Sequence, residues 1–149
     1  MPMTKTCEEV MTADPVFCIP RDTAQHAAQL MNELDIGAVP VCDSNTQKLV
    51  GIVTDRDLAL RVVAVGRDSE VTHVSQIMTT ELFTCRPEDN IDCAFEAMER
   101  QQVRRVPIVD RDNRLVGIIA HGDLATRLRA PEKTAEAVTE ISRPSFVTR

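Results

Sequence analysis

Tryptophan and tyrosine are absent from this 149-residue chain, and only four phenylalanines are present. Aromatic faces on which single-stranded nucleic acid could stack are therefore scarce, and the core has to be aliphatic. An excess of positive charge is also missing. The formal net charge is −6, with six basic and 11 acidic residues in positions 1–75 and 11 basic and 12 acidic in 76–149. Neither half would draw DNA or an anionic membrane by its bulk field, although a few placed arginines suffice to hold one phosphate. No nucleic-acid partner is expected. No run approaches the ~20 apolar residues of a membrane span. The first ten residues contain Lys5, Glu8 and Glu9 and no apolar signal core, so the expected location is cytoplasmic, without membrane association. The five cysteines (Cys7, Cys18, Cys42, Cys85 and Cys93) are odd in number and include no C-x-x-C pair. Reduced, mostly buried thiols are expected in place of a disulfide framework.

What is present is a duplication. Met11 to Arg61 reads again as Met78 to Arg127: Met11-Thr12 matches Met78-Thr79, Cys18-x-Pro20 matches Cys85-x-Pro87, and Asp22 matches Asp89. Ala27, Met31 and Val39-Pro40 match Ala94, Met98 and Val106-Pro107. After one extra residue in the Asp43–Lys48 turn, Leu49-Val50-Gly51-Ile52 matches Leu115-Val116-Gly117-Ile118, and Asp57-Leu58-Ala59 matches Asp123-Leu124-Ala125. Two units of ~50 residues are too few and too long for a solenoid, so a pseudo-twofold pair is expected.

Each unit parses as β-α-β-β-α. Val16–Ile19 and Phe83–Cys85 are short apolar runs before a proline and read as brief strands. Asp22 and Asp89 then stand as helix N-cap candidates, followed by apolar residues at helical spacing. Ala38–Cys42 and Val106–Val109 read as strands, and polar turns lead into Leu49–Val53 and Leu115–Ile119. A second helix starts near Asp55 or His121 and runs through Leu58, Leu60 and Val62, or Leu124 and Leu128. Units this small cannot close a core alone, so the copies should pack through their sheets. The division by sequence is 1–67 for the first repeat with its N-terminal segment, 68–129 for the second and 130–149 for a tail. Ala64–Ser75 reads as a solvated link, and the tail carries a short helical pattern over Thr134–Ile141.

The informative string is Gly51-Ile52-Val53-Thr54-Asp55-Arg56-Asp57, at a strand-to-helix junction where N–H groups favour an anion. Thr54-x-x-Asp57 also has the form of a capping box, with Asp in place of Glu, which needs no ligand. The second copy, Gly117-Ile118-Ile119-Ala120-His121-Gly122-Asp123, loses the cap hydroxyl yet keeps the acid. An acid retained without its hydroxyl points to another task, such as accepting hydrogen bonds from a ribose diol; helix-dipole compensation is the plain alternative. His121 is either a surface imidazole or a phosphate donor. Arg104-Arg105 is either solvated or an anion fork; its counterpart Gly37-Ala38 is small and neutral, so the two sites should differ electrostatically. The three histidines (His26, His73 and His121) fall on a helix, a link and a junction. No H-x-x-x-H, G-x-S-x-G or G-x-x-x-x-G-K-[ST] pattern occurs, so an enzyme is not expected.

From Val10 to Arg127 the chain resembles a tandem pair of cystathionine-β-synthase (CBS) domains, a Bateman module. The resemblance rests on the two β-α-β-β-α units, on Gly37-Ala38-Val39-Pro40-Val41 with Arg104-Arg105-Val106-Pro107-Ile108, and on the two glycine-to-aspartate junctions. It implies an α/β (α+β) fold with two clefts between the repeats that bind adenine nucleotides or other adenosyl ligands, and a disc-shaped dimer. It further implies Asp57 and Asp123 as ribose-binding acids, and Thr54 as a ribose or phosphate contact, with Ala120 departing from that pattern. Ile36-Gly37-Ala38 would face the Asp123 site and Val103-Arg104-Arg105 the Asp57 site, or Arg104, Arg105 and His121 would reach phosphates in the Asp123 cleft. Arg56 is a further anion contact, and Thr12 and Thr79 lie near the base edge. The function so implied is a regulatory, non-catalytic sensor of AMP, ADP or ATP, or of NAD or S-adenosylmethionine, acting as a homodimer on a protein effector. A ligand-free dimerisation module and a thiol- or metal-responsive protein are the alternatives.

Overall fold

The computed structural model describes residues 5–127; the tail at 130–149, with its helical pattern, and Leu128 lie outside them. In chain order the elements are α1 (Cys7–Val10), β1 (Thr12–Ala13), α2 (Ala24–Leu34), β2 (Ala38–Cys42), β3 (Leu49–Thr54), α3 (Asp55–Leu58), α4 (Asp92–Gln101), β4 (Arg105–Val109), β5 (Leu115–Ala120) and α5 (His121–Arg127). The mixed α+β class and the duplication expected from the sequence are both present. β2 and β3 pair antiparallel, as do β4 and β5, with matching registers: Ala38 opposite Thr54, and Arg105 opposite Ala120. β2 is buried at every position, whereas β3 and β5 alternate, which is the mark of an inner strand beside strands with one covered face.

Two local expectations are corrected. The first strand of each copy shrinks to a single bridge, Cys18 to Val41 and Cys85 to Ile108. Pro20 and Pro87, lacking N–H groups, follow at once, so the ladder cannot extend. Asp22 is not the cap of α2; Thr23 is, its hydroxyl accepting from the His26 N–H at 3.1 Å. Asp22 instead closes the preceding turn, Oδ2 accepting from the Ile19 N–H at 2.9 Å, and Asp89 does the same for the Arg86 N–H at 2.8 Å.

The larger finding concerns which segments pack together. The chain forms two compact units, one of 16–82 and the other, among the described residues, of 5–15 with 83–127. The N-terminal segment thus packs with the second repeat, and the segment after the first repeat packs back on the first. β1 adds to β5 through Thr12 and Ile118; Thr79 bridges to Ile52 of β3. Both glycines on these strands are occupied from outside: a Cβ on Gly117 would strike Met11 Sδ, and one on Gly51 would strike Met78 Sδ. The repeated Met-Thr pair and the repeated glycine are therefore one packing motif. The helix starts are stitched in the same way. The Cys7 N–H donates to Asp89 O, and the Val74 N–H to Asp22 O, each at 2.8 Å.

Residues 64–75 are accordingly more than a solvated link. Thr72 and Val74 are buried, and the α2 N-terminal N–H groups of Ala24 and Gln25 donate to Thr72 O and Ser69 O. Those groups have no partner within the helix, and the link supplies one. α3 continues as a π turn over Ala59–Val63, with the Ala64 N–H donating to Ala59 O at 2.9 Å.

Candidate functional site

Each unit presents one strand-to-helix junction. In the 16–82 unit, Thr54 ends β3 and caps α3, its hydroxyl accepting from the Asp57 N–H at 3.0 Å while Asp57 Oδ2 accepts from the Thr54 N–H at 3.0 Å. This is a complete capping box. Asp57 is buried. The Thr79 hydroxyl donates to both of its oxygens at 3.3 Å, and Arg61 Nε stands 3.8 Å from Oδ1. Arg61 also donates to Ile77 O at 3.1 Å. Arg61 was not singled out in the sequence, although its position four residues beyond Asp57 on a helix is a recognisable signal. Thr79, expected near a base edge, here holds the carboxylate.

In the other unit, Ala120 cannot supply a hydroxyl, yet Asp123 Oδ2 still accepts from the Ala120 N–H at 2.9 Å. The retained acid therefore has a local task after all, because the two halves of a capping box are separable. His121 is buried and not a surface imidazole; the His121 backbone N–H donates to Arg104 O at 2.9 Å, as the Asp55 backbone N–H does to Gly37 O. Gly37 packs on the Asp55 carboxylate, 3.1 Å from where a Cβ would stand to Oδ2.

The units thus bring together two sets of expected residues. One holds Ile36, Gly37, Ala38, Thr54, Asp57 and Thr79, with Arg56 exposed on α3. The other holds Thr12, Val103, Arg104, Arg105, His121 and Asp123; Val103 is exposed and both arginines are half-buried. Thr12 is exposed in β1. Arg104, Arg105 and His121 belong to the unit where the neutral pair Gly37-Ala38 is replaced, and Arg56 and Arg61 to the other.

The cysteines depart from expectation in one respect. Cys7, Cys18 and Cys42 are free, buried thiols, but Cys85 and Cys93 form a disulfide. The first turn of α4 brings Cys93 back over the bridge residue, with the two Cα atoms 6.4 Å apart. Burial pushes the Cys7 and Cys42 thiols up to about 11, with the Asp89 charge adding at Cys7. Burial first, then the Asp22 charge and hydrogen bond, push Cys18 to about 12. Neutral thiols are weak nucleophiles, so iodoacetamide at pH 8 should leave native, chelator-treated protein unlabelled and modify these three after denaturation. Because the folded pKa values lie above the unfolded ones, this contribution to stability is complete below about pH 9 and is lost as pH rises through 11 to 12. A urea midpoint that falls between pH 7 and pH 10.5 checks the sign.

The family model for the CBS domain matches this chain twice, over residues 7–64 and 74–130. The chain belongs to the CBS-domain family. The CBS domain-containing protein YhcV of Bacillus subtilis is 43% identical over 139 residues, spanning 93% of this chain and 96% of its own length. Among solved CBS-like structures, the hypoxic response protein I with two coordinated zinc ions is 33% identical. It covers 82% of this chain and 98% of its own, with a TM-score of 0.75. CBSX2 in complex with AMP is 28% identical, covers 81% and 93%, and has a TM-score of 0.69. Among the described residues no helix is long and apolar enough to cross a membrane.

Proposed function

We propose that this CBS pair is a reversible, non-catalytic sensor of an adenine nucleotide. The observation that carries the reading is the unequal dressing of two equivalent junctions. Arg104, Arg105 and His121 stand at the one that ends in Asp123, against Gly37, Ala38, Asp55 and the exposed Arg56 at the one that ends in Asp57, so the strand-entrance arginine pair is what differs. Phosphate recognition belongs with the arginine pair, whose guanidinium forks match phosphate oxygens. The AMP-bound relative supports an adenosyl ligand, with AMP, ADP, ATP, NAD and S-adenosylmethionine as the set to distinguish. Asp57 and Asp123 each use Oδ2 for the capping bond, and Oδ1 accepts ribose hydroxyls, at Asp57 in exchange for the Thr79 hydroxyl. Thr54 and Thr79 border Asp57, Thr12 takes the equivalent place in the other copy by its match to Thr79, and Arg56 is an outer anion contact. Binding acts by favouring one arrangement of the protein over another, and the output passes through a homodimer and a protein effector. Leu60, Val63 and Val65, exposed by 48%, 76% and 63%, offer apolar surface of the kind a second copy covers.

Isothermal titration with AMP and with adenosine tests the reading. Arg104→Ala with Arg105→Ala should weaken AMP at least about tenfold, the loss of one charge-assisted contact, and leave adenosine nearly unchanged. Equal AMP affinity in the folded variant would remove the arginines from the site. A second reading has the capping geometry in its favour: a ligand-free dimerisation module, in which the junction acids only cap helices. It expects no heat with any of the five ligands.

A further inference from the structure

Apart from the junctions, one side-chain cluster occurs in both units. Cys18 lies at the bridge to Val41, Asp22 in the turn after Pro20, and His26 in the first turn of α2. Their ligand atoms (a thiol sulfur, a carboxylate oxygen and an imidazole nitrogen) lie within 4.8 Å of one another. In the other unit Cys85, Asp89 and Cys93 repeat the same spacing, again within 4.8 Å. Cysteine as core filling and aspartate as a turn closer account for the first two positions. Neither accounts for the third, where the copies change from histidine to cysteine. Those side chains share little in size or polarity, but both ligate zinc-class cations. Burial is graded: Cys18 is fully buried, Asp22 half-buried and His26 exposed, so the triad opens to solvent, from which a bound cation would take its fourth ligand. The Ile19 N–H on Asp22 Oδ2 fixes the carboxylate from behind, as outer hydrogen bonds do for metal ligands. A sulfur, nitrogen and oxygen set favours zinc-class ions over magnesium or calcium.

We propose that Cys18, Asp22 and His26 bind one zinc-class divalent cation, and that Cys85, Asp89 and Cys93 are a second copy of this site closed by the disulfide. Opening it takes a two-electron reductant, a dithiol or a phosphine. Two electrons cleave the Sγ–Sγ bond and two protons make the thiols. The dithiol becomes its own disulfide, or the phosphine takes oxygen from the water that supplied the protons. Cation binding then releases the thiol protons to solvent.

The test is Co²⁺ titration of the full chain, read by sulfur-to-cobalt charge transfer and by bound metal per chain. Oxidised protein should take one Co²⁺ with a charge-transfer band, and His26→Ala, an exposed position, should abolish it without altering the circular dichroism. Cys18→Ser should lose the band as well. After phosphine treatment the wild type should take two, and Cys93→Ser should still take one. Absence of the band in wild type, or binding indifferent to His26→Ala and Cys18→Ser, overturns the first site. A reduced protein that still takes only one overturns the second.

Discussion

Val10→Asp is expected to unfold the unit that contains the second repeat while sparing the one that contains the first. Val10 belongs by sequence to the start of the first copy, yet it is fully buried against a core that includes Ile108, Ile119 and Leu124. A carboxylate there has no partner, and it forfeits the valine's transfer energy as well as its own hydration, a loss of about 4 kcal/mol or more. Its counterpart is Ile77, fully buried in the core of the 16–82 unit with Val39, Val41 and Val53. Hydrogen exchange discriminates the two. Val10→Asp should expose amides of β4 and β5 and leave β2 and β3 protected, and Ile77→Asp should do the reverse. Loss of protection first in β2 and β3 on Val10→Asp would mean that the N-terminal segment packs with its own repeat.

Asp57→Ala should cost more stability than Asp123→Ala, although both acids hold the same place in their copies. Removing the Asp57 carboxylate strips a partner from the Thr54 N–H and the Thr79 hydroxyl together, and removes the anion facing Arg61. Two polar groups left unpaired in a half-buried setting amount to about 1–3 kcal/mol, with little added for Arg61, whose side chain is 53% exposed. Asp123→Ala removes one capping bond, to the Ala120 N–H, for about 0.5–2 kcal/mol. Asp57→Asn should recover most of the difference, since an amide oxygen still accepts from the Thr54 N–H. Equilibrium urea unfolding of the three variants provides the comparison. Equal losses at the two positions would show that Thr79 and Arg61 contribute nothing. Asn also separates roles: it keeps the fold for ligand titration while removing the charge a ribose diol would meet.

Much of this was legible in the chain because it is written locally. The alternating Leu49-Val50-Gly51-Ile52-Val53, the polar turns, and the spacing of Ala27 and Met31 each report on neighbours a few residues away. The duplication then doubles every signal. Thr54 and Asp57 announced a capping box for the same reason: both partners lie within four residues. At Asp123 the sequence shows only that the hydroxyl is missing, not that the backbone N–H still has an acceptor. The first strands were overextended because the apolar run was visible, while the single bridge to β2 or β4 is a pairing across more than 20 residues.

By itself the sequence determined the family, the two α+β repeats and their turns, and which side chains stand at the two junctions. Only the tertiary structure decided that Met11 packs on Gly117 and Met78 on Gly51, that Thr79 and Arg61 hold Asp57, that His121 is buried, and that Cys93 meets Cys85. The physical reason is common to all four. Period and composition encode which face of an element is apolar, but a repeated sequence offers each segment two near-identical surfaces. Which one it covers is settled by chain connectivity and packing over distances that no local pattern records.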